Sequence, residues 1–180
     1  MEPVFTVGHS TRTIAEFSAL LHENRIQRLV DVRRYPGSRR YPHFGREPLP
    51  VFLQQAGIEY VHEDALGGRR TPRADSPNEV WRNAQFRGYA DHMDSPEFRA
   101  ALQRLIEGAQ TTRQVIMCAE AVPWRCHRQL IADALVARGV DVRHIIQAGS
   151  VKEHALNENA RVLADGHLVY SSAGPQIDLL

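Results

Sequence analysis

One segment constrains the fold of this chain more than any other: an apolar run that passes through a short loop into a helical pattern. Residues 115–117, Val-Ile-Met, predict a strand buried on both faces, because short apolar runs bounded by polar residues are typical of such strands. The strand ends at Cys118, and a helix is predicted from Cys126 to Arg138, stopped by Gly139. A strand that leads directly into a helix is typical of a mostly parallel sheet.

The same alternation extends along the chain. Further strands are predicted over residues 4–7, 28–33, 58–62 and 141–146. Helices are predicted after a capping box of Thr13 and Glu16, and over residues 49–56, 86–92 and 96–108. Asp165-Gly166 between apolar flanks predicts a hairpin within residues 161–170. We therefore predict a single α/β domain over residues 1–180, with a mostly parallel sheet of about five strands, helices on both faces and a small C-terminal hairpin.

Composition argues against several classes of protein. The chain has 22 basic and 21 acidic residues, which argues against a general nucleic-acid or membrane-surface binder. No apolar run approaches the roughly 20 residues needed to cross a bilayer. The first residues lack a signal-peptide pattern, and two cysteines do not make a secreted disulfide framework. These features predict a cytoplasmic protein without a membrane partner.

Polar residues follow the predicted strands and supply the candidates for chemistry. In a parallel sheet the carboxyl ends of the strands meet at one edge, so these residues are expected to converge there. Cys118 would need thiolate character to act as a nucleophile, and Glu120 could act as a general base or nucleophile. His9 and Asp31, expected on neighbouring strands, would assist as an imidazole oriented by a carboxylate. The alternatives are a buried, inert Cys118, a structural ion pair for Glu120, and a histidine satisfied by backbone groups.

Arginines suggest what the site binds. Residues 33–73 carry eight arginines and no lysine, interleaved with aromatic residues. The planar arginine fork suits phosphate, and aromatic rings can stack on bases. The predicted ligand-binding residues are Ser10, Arg33, Arg39, Arg69, Arg125, Cys126, His127 and Arg128. The function hypothesis is a pocket at the sheet edge that takes a phosphorylated or nucleotide-like anion, as a hydrolase or transferase.

Two alternative functions stay open. One is a non-catalytic module that binds nucleic acid or a protein partner through the arginine and aromatic loops. The other is zinc as a cofactor, bound by Cys118, Cys126 and His127, with His9 from across the sheet. The spacing matches no standard zinc module, and adjacent residues of a helix point about 100° apart, which counts against that alternative.

Several short motifs lie in the loops and at the strand ends: Gly8-His9-Ser10, residues 29–33 (LVDVR), 36–39 (PGSR), 66–69 (LGGR), 86–90 (FRGYA), 117–120 (MCAE) and 126–128 (CHR). With these motifs the chain resembles the domain of unknown function 488 family over nearly its whole length. The resemblance implies a cytoplasmic α/β domain. It implies no activity, so it bears on the fold and the position of the site more than on the reaction.

Overall fold

A computed structural model describes residues 1–37 and 39–172 of the chain. Its centre is a six-stranded sheet in the order β3-β2-β4-β1-β5-β6. The strands are β1 (Val4–Gly8), β2 (Arg28–Asp31), β3 (Glu59–His62), β4 (Gln114–Cys118), β5 (Val142–Gln147) and β6 (Ser150–Glu153). The first five are parallel, and β6 pairs with β5 in the antiparallel direction. The predicted α/β architecture with a mostly parallel sheet is confirmed.

Helices cover both faces of this sheet. They are α1 (Ile14–Glu23), α2 (Pro48–Gln55), α3 (Ala84–His92), α4 (Pro96–Gly108) and α5 (Arg128–Val136). The helices α1 and α2 pack on one face, where Phe17 and Leu53 are fully buried. The other three helices pack on the opposite face, together with a hairpin of β7 (Ala160–Val162) and β8 (Leu168–Tyr170). The predicted hairpin is thus confirmed, as is the capping box of Thr13 and Glu16 that starts α1.

The alternation of side chains along β4 decides which face each of its residues serves. Val115 and Met117 belong to the core under α1 and α2, whereas Ile116 and Cys118 belong to the core under α5. Successive side chains of a strand point to opposite faces, so Cys118 faces α5. In the sheet β4 lies between β1 and β2, with Gly8 opposite Cys118.

Two local features differ from the sequence prediction. Helix α5 begins at Arg128, because residues 123–125 form a separate 3-10 turn and Cys126 is extended, with φ −138° and ψ 149°. The strand β6 was not predicted. Its four residues are exposed or half-buried, so its sequence has no apolar pattern to reveal it. In the described part of the chain, no helix is long and apolar enough to span a membrane.

Candidate functional site

A cavity of about 730 Å³ lies at the carboxyl ends of β1, β2 and β4. Nine of the twelve residues singled out from the sequence line it: His9, Ser10, Arg33, Arg69, Cys118, Glu120, Arg125, Cys126 and His127. Asp31 and Arg128 are buried and do not line it, and Arg39 is exposed and lies outside the lining. The convergence expected from the strand ends therefore brings most of the candidates to one place.

Arg33 lies between His9 and Asp31, which do not form the direct pair expected from the sequence. The fully buried Asp31 accepts hydrogen bonds from Arg33 Nε at 2.9 Å, Arg33 Nη2 at 2.6 Å and the Tyr60 hydroxyl at 2.9 Å. The other terminal nitrogen of Arg33 donates to the Phe44 carbonyl at 2.8 Å and lies 3.4 Å from His9 Nε2. The reason is topological: β4 separates the strands that carry the two residues. Asp31 thus fixes Arg33 and is not free to act on a ligand.

His9 is a neutral ring at the edge of the cavity. Its Nδ1 donates to the Ser10 carbonyl at 3.0 Å, and the ring stacks on Phe44 with centroids 4.4 Å apart. Burial, and after it the charge of Arg33, lowers the pKa of His9 to about 4. At neutral pH its Nε2 is therefore an acceptor that faces Arg33, which limits its use as a general base.

The two cysteines lie beside each other, and the pKa values of their thiols are shifted in opposite directions. Both are buried and free. Cys126 Sγ lies 3.5 Å from Arg128 Nε and 3.7 Å from His127 Nδ1. A hydrogen bond from Cys118, together with His127 and Arg128, holds the pKa of Cys126 well below its usual range. Donating that bond, together with burial, raises the pKa of Cys118. The sequence analysis named Cys118 as the nucleophile candidate that would need thiolate character and Cys126 as a ligand-binding residue, since the neighbours of the two sulfurs are not visible in the sequence.

The sulfurs of Cys118 and Cys126 and a ring nitrogen of His127 lie within 4.8 Å of one another. Cys126 is extended and outside α5, so the 100° offset of adjacent helical residues does not apply to Cys126 and His127. His127 Nε2 donates to the Val32 carbonyl at 3.0 Å, which leaves Nδ1 with a lone pair when the ring is neutral. His9 is not part of this cluster.

Glu120 is the one carboxylate among the described residues that line the cavity, and it is exposed. Its backbone carbonyl accepts a hydrogen bond from the Arg128 guanidinium. A Cβ atom on Gly8 would lie 1.8 Å from the same oxygen, so only glycine allows β1 to approach this loop. The contacts of Arg128 and Gly8 therefore fix the backbone that carries Glu120.

Four arginines of the wall carry charge without a carboxylate partner. Arg34, Arg40, Arg69 and Arg125 line the cavity, and none forms an ion pair with a carboxylate of the described residues. Sequence reasoning missed Arg34 and Arg40 and chose Arg39. Residues 34–37 and 39–41 lie in no helix or strand, so no periodicity indicates which of their side chains face inward.

A chain of buried hydrogen bonds lies behind the cavity. Arg128 donates to Thr6 Oγ1 at 3.4 Å, and that hydroxyl lies 2.7 Å from His144 Nδ1. His144 Nε2 is 2.9 Å from His154 Nδ1, and His154 Nε2 is 2.8 Å from Asp133. The Asp133 carboxylate can only accept, which makes His154 Nδ1 an acceptor, His144 Nε2 a donor and the Thr6 hydroxyl a donor. Both histidines are satisfied as neutral rings in this arrangement.

Comparison with known proteins gives one family. The model of the family described as domain of unknown function DUF488 matches residues 13–135, which is more than half of the chain. The match includes β2, β4 and most of α5, and begins just after His9 and Ser10. Comparisons with curated proteins and with solved structures gave no match.

Proposed function

The chain belongs to the family described as domain of unknown function DUF488, and since that family assigns no reaction, we propose a function from the cavity itself. The cavity binds a phosphate-bearing, nucleotide-like anion and carries out hydrolysis or group transfer on it. The observation that carries the proposal is the set of arginines that line the cavity, Arg34, Arg40, Arg69 and Arg125, beside Glu120 as the one carboxylate of the lining among the described residues.

Like charges that converge on a cavity repel each other unless an anion lies between them. Arg34 donates one terminal nitrogen to the Arg69 carbonyl at 2.9 Å, and no carboxylate of the described residues pairs with any of the four guanidinium groups. Charge-assisted pairs between arginine and phosphate are stronger than neutral hydrogen bonds. Arg33 is already held by Asp31, so it supplies a fixed positive charge at the floor of the cavity. The volume of about 730 Å³ falls within the range of roughly 300–1,000 Å³ that is usual for small-molecule sites.

An exposed aromatic ring in the wall favours a ligand with a flat group beside its phosphate. Tyr35 is 62% exposed, and the guanidinium carbons of Arg34 and Arg69 lie 5.6 and 5.9 Å from its ring centre. Phe86 also lines the cavity. Exposed rings of this kind provide stacking surfaces for nucleobases.

Backbone strain is also concentrated at this wall. Three described residues other than glycine have positive φ angles, and two of them, Ser10 at 49° and Arg69 at 60°, line the cavity. Such conformations cost free energy and cluster at functional sites. Glu120 is the group of the wall best suited to activate water or a hydroxyl group as a general base.

The wall arginines can be tested with a matched pair of neighbours. Binding of inorganic phosphate and of ADP is measured by calorimetry on the wild-type chain and on Arg40→Gln, Arg69→Gln and Arg39→Gln. Loss of one charged hydrogen bond of about 1.5–3 kcal/mol weakens binding about 10- to 100-fold. Arg40→Gln and Arg69→Gln should show this loss, while Arg39→Gln, outside the cavity, should bind like the wild type. Equal effects at positions 39 and 40, or no binding of either anion, would refute the proposal.

Salt dependence separates this function from the rival nucleic-acid module. A protein that follows a backbone through 6–10 phosphates loses roughly 10³- to 10⁵-fold in affinity between about 50 and 200 mM salt. A pocket that holds a single small anion contacts far fewer phosphates, so its affinity should fall far less over the same range of salt. Glu120→Gln then tests the catalytic part, because it should keep ADP binding and abolish release of phosphate. Unchanged phosphate release in this variant would remove Glu120 from the reaction.

A further inference from the structure

We infer that Cys118, Cys126 and His127 form a binding site for a tetrahedral transition-metal ion, with zinc as the expected occupant and its fourth coordination position open to the cavity. All three residues line the cavity, which places the missing fourth position on the cavity side. The metal site depends on the geometry of these three residues alone. The role of its open position rests on the proposed function.

The distances match the coordination chemistry of zinc. Typical Zn–S and Zn–N bonds place a sulfur and a nitrogen about 3.6 Å apart, and two sulfurs about 3.8 Å apart, around a tetrahedral ion. Cys126 Sγ lies 3.7 Å from His127 Nδ1, which is already the required separation. All three ligand atoms lie within 4.8 Å of one another, so closing onto an ion requires movements of about 1 Å or less.

The imidazole of His127 has the backbone hydrogen bond that usually orients a metal-binding histidine. Histidine ligands commonly donate their second ring N–H to a carbonyl or carboxylate, which fixes the tautomer and the orientation of the ring. His127 Nε2 makes this bond to the Val32 carbonyl and so leaves the Nδ1 lone pair beside Cys126. A Cβ atom on Gly68 would lie 2.9 Å from Nδ1, so glycine at that position keeps the space beside the nitrogen open.

The charges at the site favour a metal with an anionic fourth ligand. Arg128 is 1% exposed and makes no ion pair with a carboxylate of the described residues, and its Nε lies 3.5 Å from the sulfur of Cys126. Two thiolates neutralise a divalent zinc ion, and Arg128 then leaves the cluster with a net positive charge. An anion at the open position, hydroxide or a phosphate oxygen, would balance it. Three protein ligands and one open position are typical of catalytic zinc sites, whereas structural sites have four protein ligands.

Sulfur ligands select the metal. Thiolate and imidazole suit zinc, while magnesium and calcium require oxygen ligands. Cys118 and Cys126 are the only cysteines of the chain, so any sulfur-to-metal charge-transfer band must come from this cluster. Cobalt(II), which occupies zinc sites and is coloured, is therefore a suitable probe.

The experiment uses the untagged full chain, reduced under anaerobic conditions, stripped with a chelator and titrated with cobalt(II). One equivalent of cobalt(II) should bind per chain, and its binding should produce a sulfur-to-cobalt charge-transfer band in the absorption spectrum. Cys118→Ser and Cys126→Ser should lose the band, and His127→Gln should weaken binding at least about tenfold. His92→Gln is the matched control, because His92 is also half-buried and donates from Nε2 to a carbonyl, that of Ala65 at 2.7 Å.

Each outcome decides one claim. Absence of the charge-transfer band, or a band and affinity unchanged in His127→Gln, overturns the metal site. Circular dichroism of each variant shows whether it is folded, and His127→Gln carries the test if a serine variant unfolds. Phosphate is then added to the stripped and the cobalt-loaded protein. Phosphate binding without cobalt binding overturns the metal site alone, whereas cobalt binding with no response to phosphate overturns the anion pocket and keeps the metal site.

Discussion

Acid should destabilise this protein through His144, beginning below about pH 6.5. His144 is 6% exposed, and both of its ring nitrogens are engaged, with Thr6 at 2.7 Å and His154 at 2.9 Å. Burial lowers the pKa of His144 to about 3, and the charge of Arg128 and any proton on His154 act in the same direction. A proton on Nδ1 would also face the Thr6 hydroxyl, which itself donates to that nitrogen in the neutral arrangement.

The sign and size of the effect follow from proton linkage. In the unfolded chain a histidine has a pKa near 6.5, so below that pH the unfolded state binds a proton that the folded state refuses. Stability is therefore unaffected above about pH 6.5 and falls as the pH drops toward 3. Between about pH 7 and pH 5 the loss from His144 is about 2 kcal/mol. His9, with a pKa lowered to about 4, adds a similar loss. Together they remove a large share of a typical stability of about 5–15 kcal/mol.

Urea unfolding followed by circular dichroism, at several pH values between about 7 and 5, measures this loss. His144→Gln should remove about 2 kcal/mol of the loss between about pH 7 and pH 5, whatever its stability at neutral pH, because the amide can donate and accept but does not titrate. The control is His22→Gln, since His22 lies exposed on α1 and its replacement should leave the dependence unchanged. If His144→Gln kept the full wild-type dependence, the reasoning from burial would be refuted.

Two further substitutions test the floor and the back of the cavity. Asp31→Asn leaves Arg33 buried without its carboxylate and should cost about 3–5 kcal/mol in urea unfolding; a loss below about 1 kcal/mol would show that the pair is not what holds Arg33. Gly8→Ala places a Cβ atom 1.8 Å from the Glu120 carbonyl and should cost at least about 1–3 kcal/mol by thermal unfolding. Its control is Gly37→Ala, where no described residue beyond its chain neighbours lies within 4 Å of the added atom, and similar losses in the two variants would contradict the packing argument.

The parts of the fold that the sequence predicted are those that depend on local patterns. The apolar run at 115–117, the capping box of Thr13 and Glu16, and the Asp165-Gly166 turn each produced the expected element. Strand periodicity, helix capping and turn geometry act over a few residues, and so these signals can be read from the chain alone. The edge strand β6 carries no such signal and was missed.

For the site as well, the sequence predicted one part, and the other part depends on the tertiary structure. That polar residues would gather at the carboxyl edge follows from the parallel arrangement of the strands, and the cavity forms there. The parallel arrangement does not predict which side chains contact each other within the cavity. The position of β4 between β1 and β2 separates His9 from Asp31 and allows Arg33 to lie between them.

The sequence by itself therefore determined the α/β fold, its family resemblance and the edge of the sheet at which the chemistry-bearing residues collect. Only the tertiary structure decided that the lowered thiol pKa belongs to Cys126, that Arg40 and not Arg39 lines the cavity, and that His127 lies beside the two cysteines. These outcomes depend on strand order, on a 3-10 turn before α5 and on an irregular loop. The strand order, the turn and the loop together set the distances between the side chains of the site. The charges and hydrogen bonds of the site depend on those distances.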